Sequence, residues 1–206
     1  MGNMNDIVMR CIAALFLTLK LDHLQLHLRR LKNRIASNIE CKKLRCNFKL
    51  HLQAPFEIFC EEFIFLEGSI SSKPGLRIEC FEKYNGDYFN PRLEIGKNVS
   101  FNSNCHIGCI NHIKIGENVL IGSNVLIIDH SHGLTNDPSI PPSKRKLYSK
   151  GPIIIGSNTW IGENVCILPN VTIGENCIIG AGAVVSKNIP ANCVAVGNPI
   201  RIINRD

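Results

Sequence analysis

The sequence predicts a mainly β protein built as a parallel β-helix, and three features of residues 155–185 predict it. Aliphatic residues fall at every sixth position, at Ile155, Ile161, Ile167, Ile173, Ile179 and Val185. Glycine follows directly at Gly156, Gly162, Gly174 and Gly180. Asn158, Asn164, Asn170, Asn176 and Asn188 stand three places after the aliphatic residue, with Gly182 taking the asparagine's place once. A helix repeats at about 3.6 residues and a strand at about 2, so a sustained six means short extended pieces joined by identical corners. Asparagine and glycine tolerate the positive φ that such corners demand. Three sides close a triangular coil, and inward aliphatics stack from coil to coil.

Ahead of the repeats, residues 1–47 form a helical, basic segment, and the β-helix occupies 48–203. Leu17, Leu21, Leu24, Leu28, Leu31 and Ile35 keep helical spacing, with Ile12, Leu15, Phe16 and Leu19 as a second set, which predicts helix over 7–35. The apolar run from Cys11 to Leu17 is too short to span a bilayer. Between Arg29 and Arg45 lie Arg30, Lys32, Arg34, Lys42 and Lys43 against the single acid Glu40. Two readings follow: a basic amphipathic helix resting on anionic lipid, or a helix packed on the β-helix with a solvated basic face.

From Phe48 to Phe89 the pattern loosens, and Ile58, Ile64, Ile70, Leu76 and Ile78 mark early, irregular coils. Glu82 to Pro91, with Tyr84, Gly86 and Tyr88, reads as a turn or excursion. Clear repeats run through Ile95, Phe101 and Ile107, slip by two at Ile113, and resume at Ile115, Ile121 and Ile127. Ile127 and Ile155 are 28 apart, which is not a multiple of six, so the chain leaves the coil in an excursion over 129–152. That loop opens with Asp129-His130-Ser131-His132-Gly133 and closes with Gly151-Pro152. Repeat proteins commonly carry function on such insertions.

A length of 206 residues holds one main domain with a small attachment, and 45% hydrophobic content suffices for a core. The net charge of +6 favours anionic partners. The loop cations Lys144, Arg145, Lys146 and Lys150 could receive an acidic sugar or a phosphate, or form a solvated charge run. No Walker or Rossmann motif competes for phosphate, and no nucleic-acid partner is expected. Ten cysteines occur without a CxxC pair or a signal-peptide pattern. Cys105 and Cys177 take repeat positions filled elsewhere by Val99, Val119, Val165 and Ala183, so they read as small core residues in a reducing cytosol.

The repeats resemble those of the hexapeptide-repeat acyltransferases over about Ile95 to Ile203, and within that group the maltose, galactoside and polysaccharide O-acetyltransferases. Connections between parallel strands are usually right-handed, so the left hand of the coil is implied by the resemblance. It also implies a homotrimer with active sites between adjacent subunits, acetyl-CoA as co-substrate, a sugar or glycan acceptor, and no metal. The expected reaction is direct O-acetylation of a sugar hydroxyl in capsule, O-antigen or exopolysaccharide assembly, in the cytoplasm or at the inner face of the membrane. One histidine can take the hydroxyl proton and return it to the departing thiolate, because its pKa of about 6.5 lies near cytosolic pH.

Carried forward without gaps, the galactoside acetyltransferase pattern places the catalytic histidine on His132, with His130 as second candidate. Trp160 corresponds to a tryptophan that lines the acceptor and cofactor channel. Asn102 corresponds to an acceptor-binding asparagine, and Ala181, Ser186, Lys187 and Arg201 to positions that contact coenzyme A. Small residues at Gly180-Ala181-Gly182 leave room for a pantetheine arm, and Lys187 and Arg201 could meet its phosphates. Two alternatives stand beside this reading. One is N-acetylation of an amino sugar or O-acetylation of an antibiotic. The other is a non-catalytic or zinc-binding trimer, with His106 and His112 stacked along one side and His130 or His132 completing the set.

Overall fold

A computed structural model of the chain describes residues 4–18, 21–133 and 138–203, with the backbone alone at 4, 15–18, 21 and 22. Its body is a triangular parallel coil. The first face has eight strands: His51–Leu52, Ile70–Ser72, Val99–Phe101, Leu120–Ile121, Trp160–Ile161, Ile178–Ile179, Val194–Val196 and the closing antiparallel Arg201–Ile203. The second has six: Phe56–Phe59, Leu76–Cys80, His106–Cys109, Leu126–Ile128, Cys166–Ile167 and Val184–Val185. The third has five: Ile64–Leu66, Arg92–Ile95, His112–Ile115, Ile153–Ile155 and Val171–Ile173.

The six-residue register produces this stacking directly. Ile107, Ile127, Ile167 and Val185 lie above one another on the second face, as do Ile95, Ile115, Ile155 and Ile173 on the third. All are buried, and each contributes roughly 1.5–3 kcal/mol by leaving water. Ile58, Ile64, Ile70, Leu76 and Ile78 are buried too, so the irregular stretch forms the first coils as expected. The corner asparagines Asn158, Asn164, Asn170 and Asn176 carry positive φ, as does Gly182 at +70°. Asn188 departs from the series: its Oδ1 accepts from the Thr172 N–H at 2.8 Å, and the left-handed corner falls on Asn192 instead. The glycine of each unit answers a close approach. A Cβ on Gly162 would stand 2.6 Å from the Ala181 backbone nitrogen of the next coil.

Both insertions leave the coil at one corner, between the second and third faces. Residues 82–91 form a hairpin of Lys83–Tyr84 and Asp87–Tyr88, and the excursion 129–152 emerges two coils further on. They meet. Tyr84 Oη and Asn85 Nδ2 both donate to the Ser143 carbonyl, at 2.9 and 2.7 Å, and Lys146 Nζ pairs with Asp87 at 2.9 Å.

The N-terminal segment is helical on both sides of residues 19–20, which lie outside the described residues, and the helical stretch runs beyond the expected 7–35 at each end. It forms α1 (Met4–Thr18) and α2 (Leu21–Lys43). Leu19 lies outside the described residues, and the side chains of Leu15, Phe16, Leu17 and Leu21 are not among those described. α2 packs on the first strand through polar groups: Ser37 Oγ donates to Leu52 O at 3.1 Å and accepts the Leu52 N–H at 3.0 Å, and Asn33 Oδ1 accepts from Ala54 N at 3.1 Å. α2 is thus packed on the coil with Arg29, Arg30, Lys32, Arg34, Lys42 and Lys43 exposed, as the second reading expects, but the contact is not made by its apolar stripe. The polar side is docked, while Leu24, Leu28, Leu31 and Ile35 face solvent.

Candidate active site

The site is built on the corner that carries both insertions. Ile107 to Ile113 crosses it with two more residues than Ile167 to Val171 does two levels up. That slip, visible in the sequence, supplies the wider bend at Ile110-Asn111. Asp129 fills it. Its carboxylate is fully buried, with Oδ1 accepting the Ile110 N–H at 2.9 Å and Oδ2 the Asn111 N–H at 2.9 Å and the Cys109 thiol at 3.4 Å. Such a buried carboxylate is tolerable because every oxygen is satisfied.

Asp129 Oδ1 also lies 3.0 Å from His130 Nδ1. A carboxylate can only accept, so Nδ1 carries the proton and Nε2 keeps its lone pair. His130 is buried, at 8% exposure, with its ring edge-on to Phe81 at 5.5 Å. A Cβ on Gly108 would stand 3.2 Å from His130 Cε1, so glycine there leaves the imidazole its room.

His132 is exposed. Its Nδ1 stands 3.5 Å from Tyr84 Oη, and the two rings meet at 5.6 Å in a T-shaped arrangement. Tyr84 already donates its hydrogen to Ser143, so toward His132 the phenol oxygen accepts. The His132 proton then sits on Nδ1, and Nε2 is the basic atom. Beyond Gly133 opens a cavity of about 620 Å³, walled by Ile140, Leu147 and Tyr148 and edged by Lys144, Arg145 and Lys146. Two of these cations are engaged: Lys146 with Asp87, and Arg145 through Nε to the Ile140 carbonyl at 3.1 Å.

The other expected site residues distribute over the coil. Ser186 and Lys187 are exposed on the histidines' own corner, two levels on, since Ile127, Ile167 and Val185 stack directly. Two rungs at about 4.8 Å put them roughly 10 Å along the edge. Ala181 sits at the corner between the first and second faces, and Asn102 follows the first-face strand Val99–Phe101. Arg201 lies on the outermost strand of the first face, opposite Val196. Trp160, 51% exposed, is on that same face between Leu120 and Ile178. The first face is opposite the histidine corner, so one chain does not bring Trp160 or Asn102 to His132.

His106 and His112 do not stack along one side. Six residues carry the chain to the next face, so they belong to the second and third faces, and each meets its own acid: Glu79 at 3.1 Å and Glu94 at 2.8 Å. The Arg92 guanidinium, and after it His112, holds the Glu94 carboxyl down at about 2. Among the described residues no group of three or more histidine, cysteine, aspartate or glutamate side chains is arranged to hold a metal ion. Cys105 and Cys177 are buried as expected, and burial pushes the Cys105 thiol up to about 11. Cys109 is raised by its hydrogen bond with Cys80, by burial and by Asp129. These are packed thiols, not activated ones.

Tyr84, Asp129 and Phe81 are the parts of the site that the sequence reading missed. A signal existed: Ile78 to Leu93 and Ile127 to Ile153 bridge the same pair of faces, which places both insertions on one edge.

A deep coil of six-residue units with histidines on its one long loop defines a class of acyl-transfer enzyme, and comparison with known proteins agrees. Residues 152–187 match the bacterial transferase hexapeptide (six repeats) family, and residues 112–131 match the hexapeptide repeat of succinyl-transferase. WbbJ of Escherichia coli (strain K12), assigned to lipopolysaccharide biosynthesis as an O-acetyl transferase, is 38% identical over 143 residues, 66% of this chain and 69% of its own length. The chain spans about half the length of other curated relatives it matches, 55% in each case.

Among solved structures, the Vibrio cholerae hexapeptide-repeat acetyltransferase VCA0836, complexed with acetyl coenzyme A, has a TM-score of 0.53 and 25% identity over 77% of this chain and 70% of its own. Galactoside acetyltransferase in complex with coenzyme A has a TM-score of 0.50 and 26% identity, over 84% and 80%. The chain belongs to the hexapeptide-repeat acetyltransferase family, and its coil is the left-handed β-helix of that family.

Proposed function

We propose that the protein transfers the acetyl group of acetyl-CoA to a sugar hydroxyl, in the assembly of a surface polysaccharide on the cytoplasmic side, with His132 as general base. The observation that carries this is the exposed His132 imidazole, its Nδ1 turned to Tyr84, one residue before Gly133, which lines the cavity. A base must reach the proton it removes, and His132 is the accessible histidine of the pair. Its Nε2 takes the acceptor's hydroxyl proton as that oxygen attacks the thioester carbonyl, and then returns it to the leaving sulfur. Leu147 and Tyr148 offer an apolar wall for a sugar ring, and Lys144 and Arg145 suit an acidic or phosphate-bearing acceptor. The similarity to WbbJ supports the glycan acceptor.

The residues for the co-substrate fit a long, phosphate-bearing thioester. Gly182 opens on free space, with nothing within 4 Å of an added Cβ, and Lys187 and Arg201 are exposed cations. They lie on different sides of one coil, as do His132 and Trp160, so a shared site requires two chains side by side. A closed trimer provides that three times over, and the half-exposed Leu120 and Trp160 suit a buried contact.

One observation favours a second assignment of the base. His130 has a carboxylate fixing its tautomer, which is the arrangement that orients a catalytic imidazole. Thiol release from acetyl-CoA by wild type, His132→Ala and His130→Ala, with sugar, oligosaccharide and amine acceptors, tests both. Acceptor-dependent release abolished in His132→Ala and largely retained in His130→Ala is expected. The reverse pattern moves the base to His130, and amine-only turnover replaces O- with N-acetylation. Absence of both release and acetyl-CoA binding by calorimetry overturns the enzymatic reading.

A further inference from the structure

We propose that α2, together with α1, is a docking surface for an anionic lipid bilayer. Leu24, Leu28, Leu31, Ile35 and Ile39 recur every three or four residues on α2 and form one stripe. Every one of them is more than half exposed, at 51–56%. The opposite side of the helix is the docked one, through Asn33, Ser37 and the buried Glu40. A helix that turns its polar side to its own domain and its leucines outward has inverted the usual arrangement. α1 adds exposed Ile7, Val8, Met9 and Ile12.

Charge selects the occupant. At about 100° per residue, Lys32 and Arg34 border the stripe on its two sides. Between Asp22 and Glu40 there is no acidic residue. A second copy of the helix laid on this stripe would set cations against cations, with no acid to match them. Lipid phosphates would neutralise them. Beside the stripe, a groove of about 540 Å³ between α2 and the first strand is lined in part by Arg30, Arg34, Lys49 and His51, which suits a phosphate headgroup. Among the described residues no helix is long and apolar enough to cross a membrane, so the contact is interfacial. The proposal stands independently of the acetyl-transfer reading.

The test is flotation of the full chain with vesicles of phosphatidylcholine, alone or mixed with phosphatidylglycerol. Wild type should float with the mixed vesicles, not with phosphatidylcholine alone, and high salt should release it. Leu28→Ser/Leu31→Ser/Ile35→Ser should weaken flotation at least about tenfold, and Lys32→Glu/Arg34→Glu should abolish the preference for phosphatidylglycerol. Both variants change exposed side chains and should keep the wild-type circular dichroism and sedimentation coefficient. Failure of wild type to float, or unchanged flotation of the serine variant, overturns the proposal. So does a serine variant that sediments as a smaller species, because the stripe would then be a contact between copies of the chain.

Discussion

Tyr84 Oη stands 3.5 Å from His132 Nδ1 and at the same time donates to the Ser143 carbonyl at 2.9 Å, so one phenol ties the hairpin to the start and the interior of the excursion. Its only hydrogen is spent on Ser143, and what it presents to the imidazole is a lone pair. With His132 as the proposed base, Tyr84 is assigned as its positioning residue. Tyr84→Phe should lower kcat about tenfold with little change in KM, the usual scale for a partner that orients a functional imidazole. Steady-state kinetics check it, and an equal rise in KM with constant kcat would instead place Tyr84 in acceptor binding.

Asp129 acts at a different level, as the strut of the wide corner. Its two oxygens satisfy the Ile110 and Asn111 N–H groups, and asparagine can offer an acceptor to only one of them. Asp129→Asn should therefore lose roughly 3 kcal/mol of folding stability, from one buried donor left unmatched and one charged hydrogen bond weakened. A urea midpoint within error of wild type contradicts the strut.

The periodic part of this fold could be read directly because each hexapeptide states its own geometry. The aliphatic gives the inward position, and the asparagine at positive φ, as at Asn158 and Asn164, gives the corner. Handedness could not be read, since the same inward and corner residues suit either coil. The histidine corner was half visible: the 28-residue gap marks the excursion, while its partnership with Tyr84 depends on two insertions meeting in space. Asn188 shows the limit of the pattern, because its side chain caps Thr172 where the series called for a turn. The orientation of α2 was invisible for a physical reason. Helical spacing locates an apolar stripe but does not say which side of the helix finds a neighbour.

Glu94 links the third face to pH. Its carboxyl is lowered in the folded protein from the usual 4.5 to about 2, by Arg92 first and His112 second. A carboxyl lowered on folding binds fewer protons folded than unfolded, so its stabilisation is complete above the unfolded value and fades as pH falls toward the folded one. Urea midpoints of wild type should therefore drop between about pH 5 and about pH 2 more steeply than those of Glu94→Gln. Parallel curves would show that the Arg92 and His112 contacts do not persist in solution.

The opposition of Trp160 and His132 within one chain gives the most decisive prediction about assembly. Trp160 lies on the first face, and His132 leaves from the corner between the other two. If they serve one site, each site takes its histidine from one subunit and its tryptophan from the next. Inactive His132→Ala and Trp160→Ala chains should then complement each other. In trimers formed at random from equal amounts of the two, a site is intact when the histidine comes from a Trp160→Ala chain and its neighbour is a His132→Ala chain. That is one combination in four, so co-refolded mixtures should recover up to roughly a quarter of wild-type activity. Separately refolded proteins mixed afterwards should recover almost none. Activity that stays at the level of the single variants would mean that Trp160 and His132 do not share a site across subunits, and the tryptophan would then be explained by packing between the faces alone.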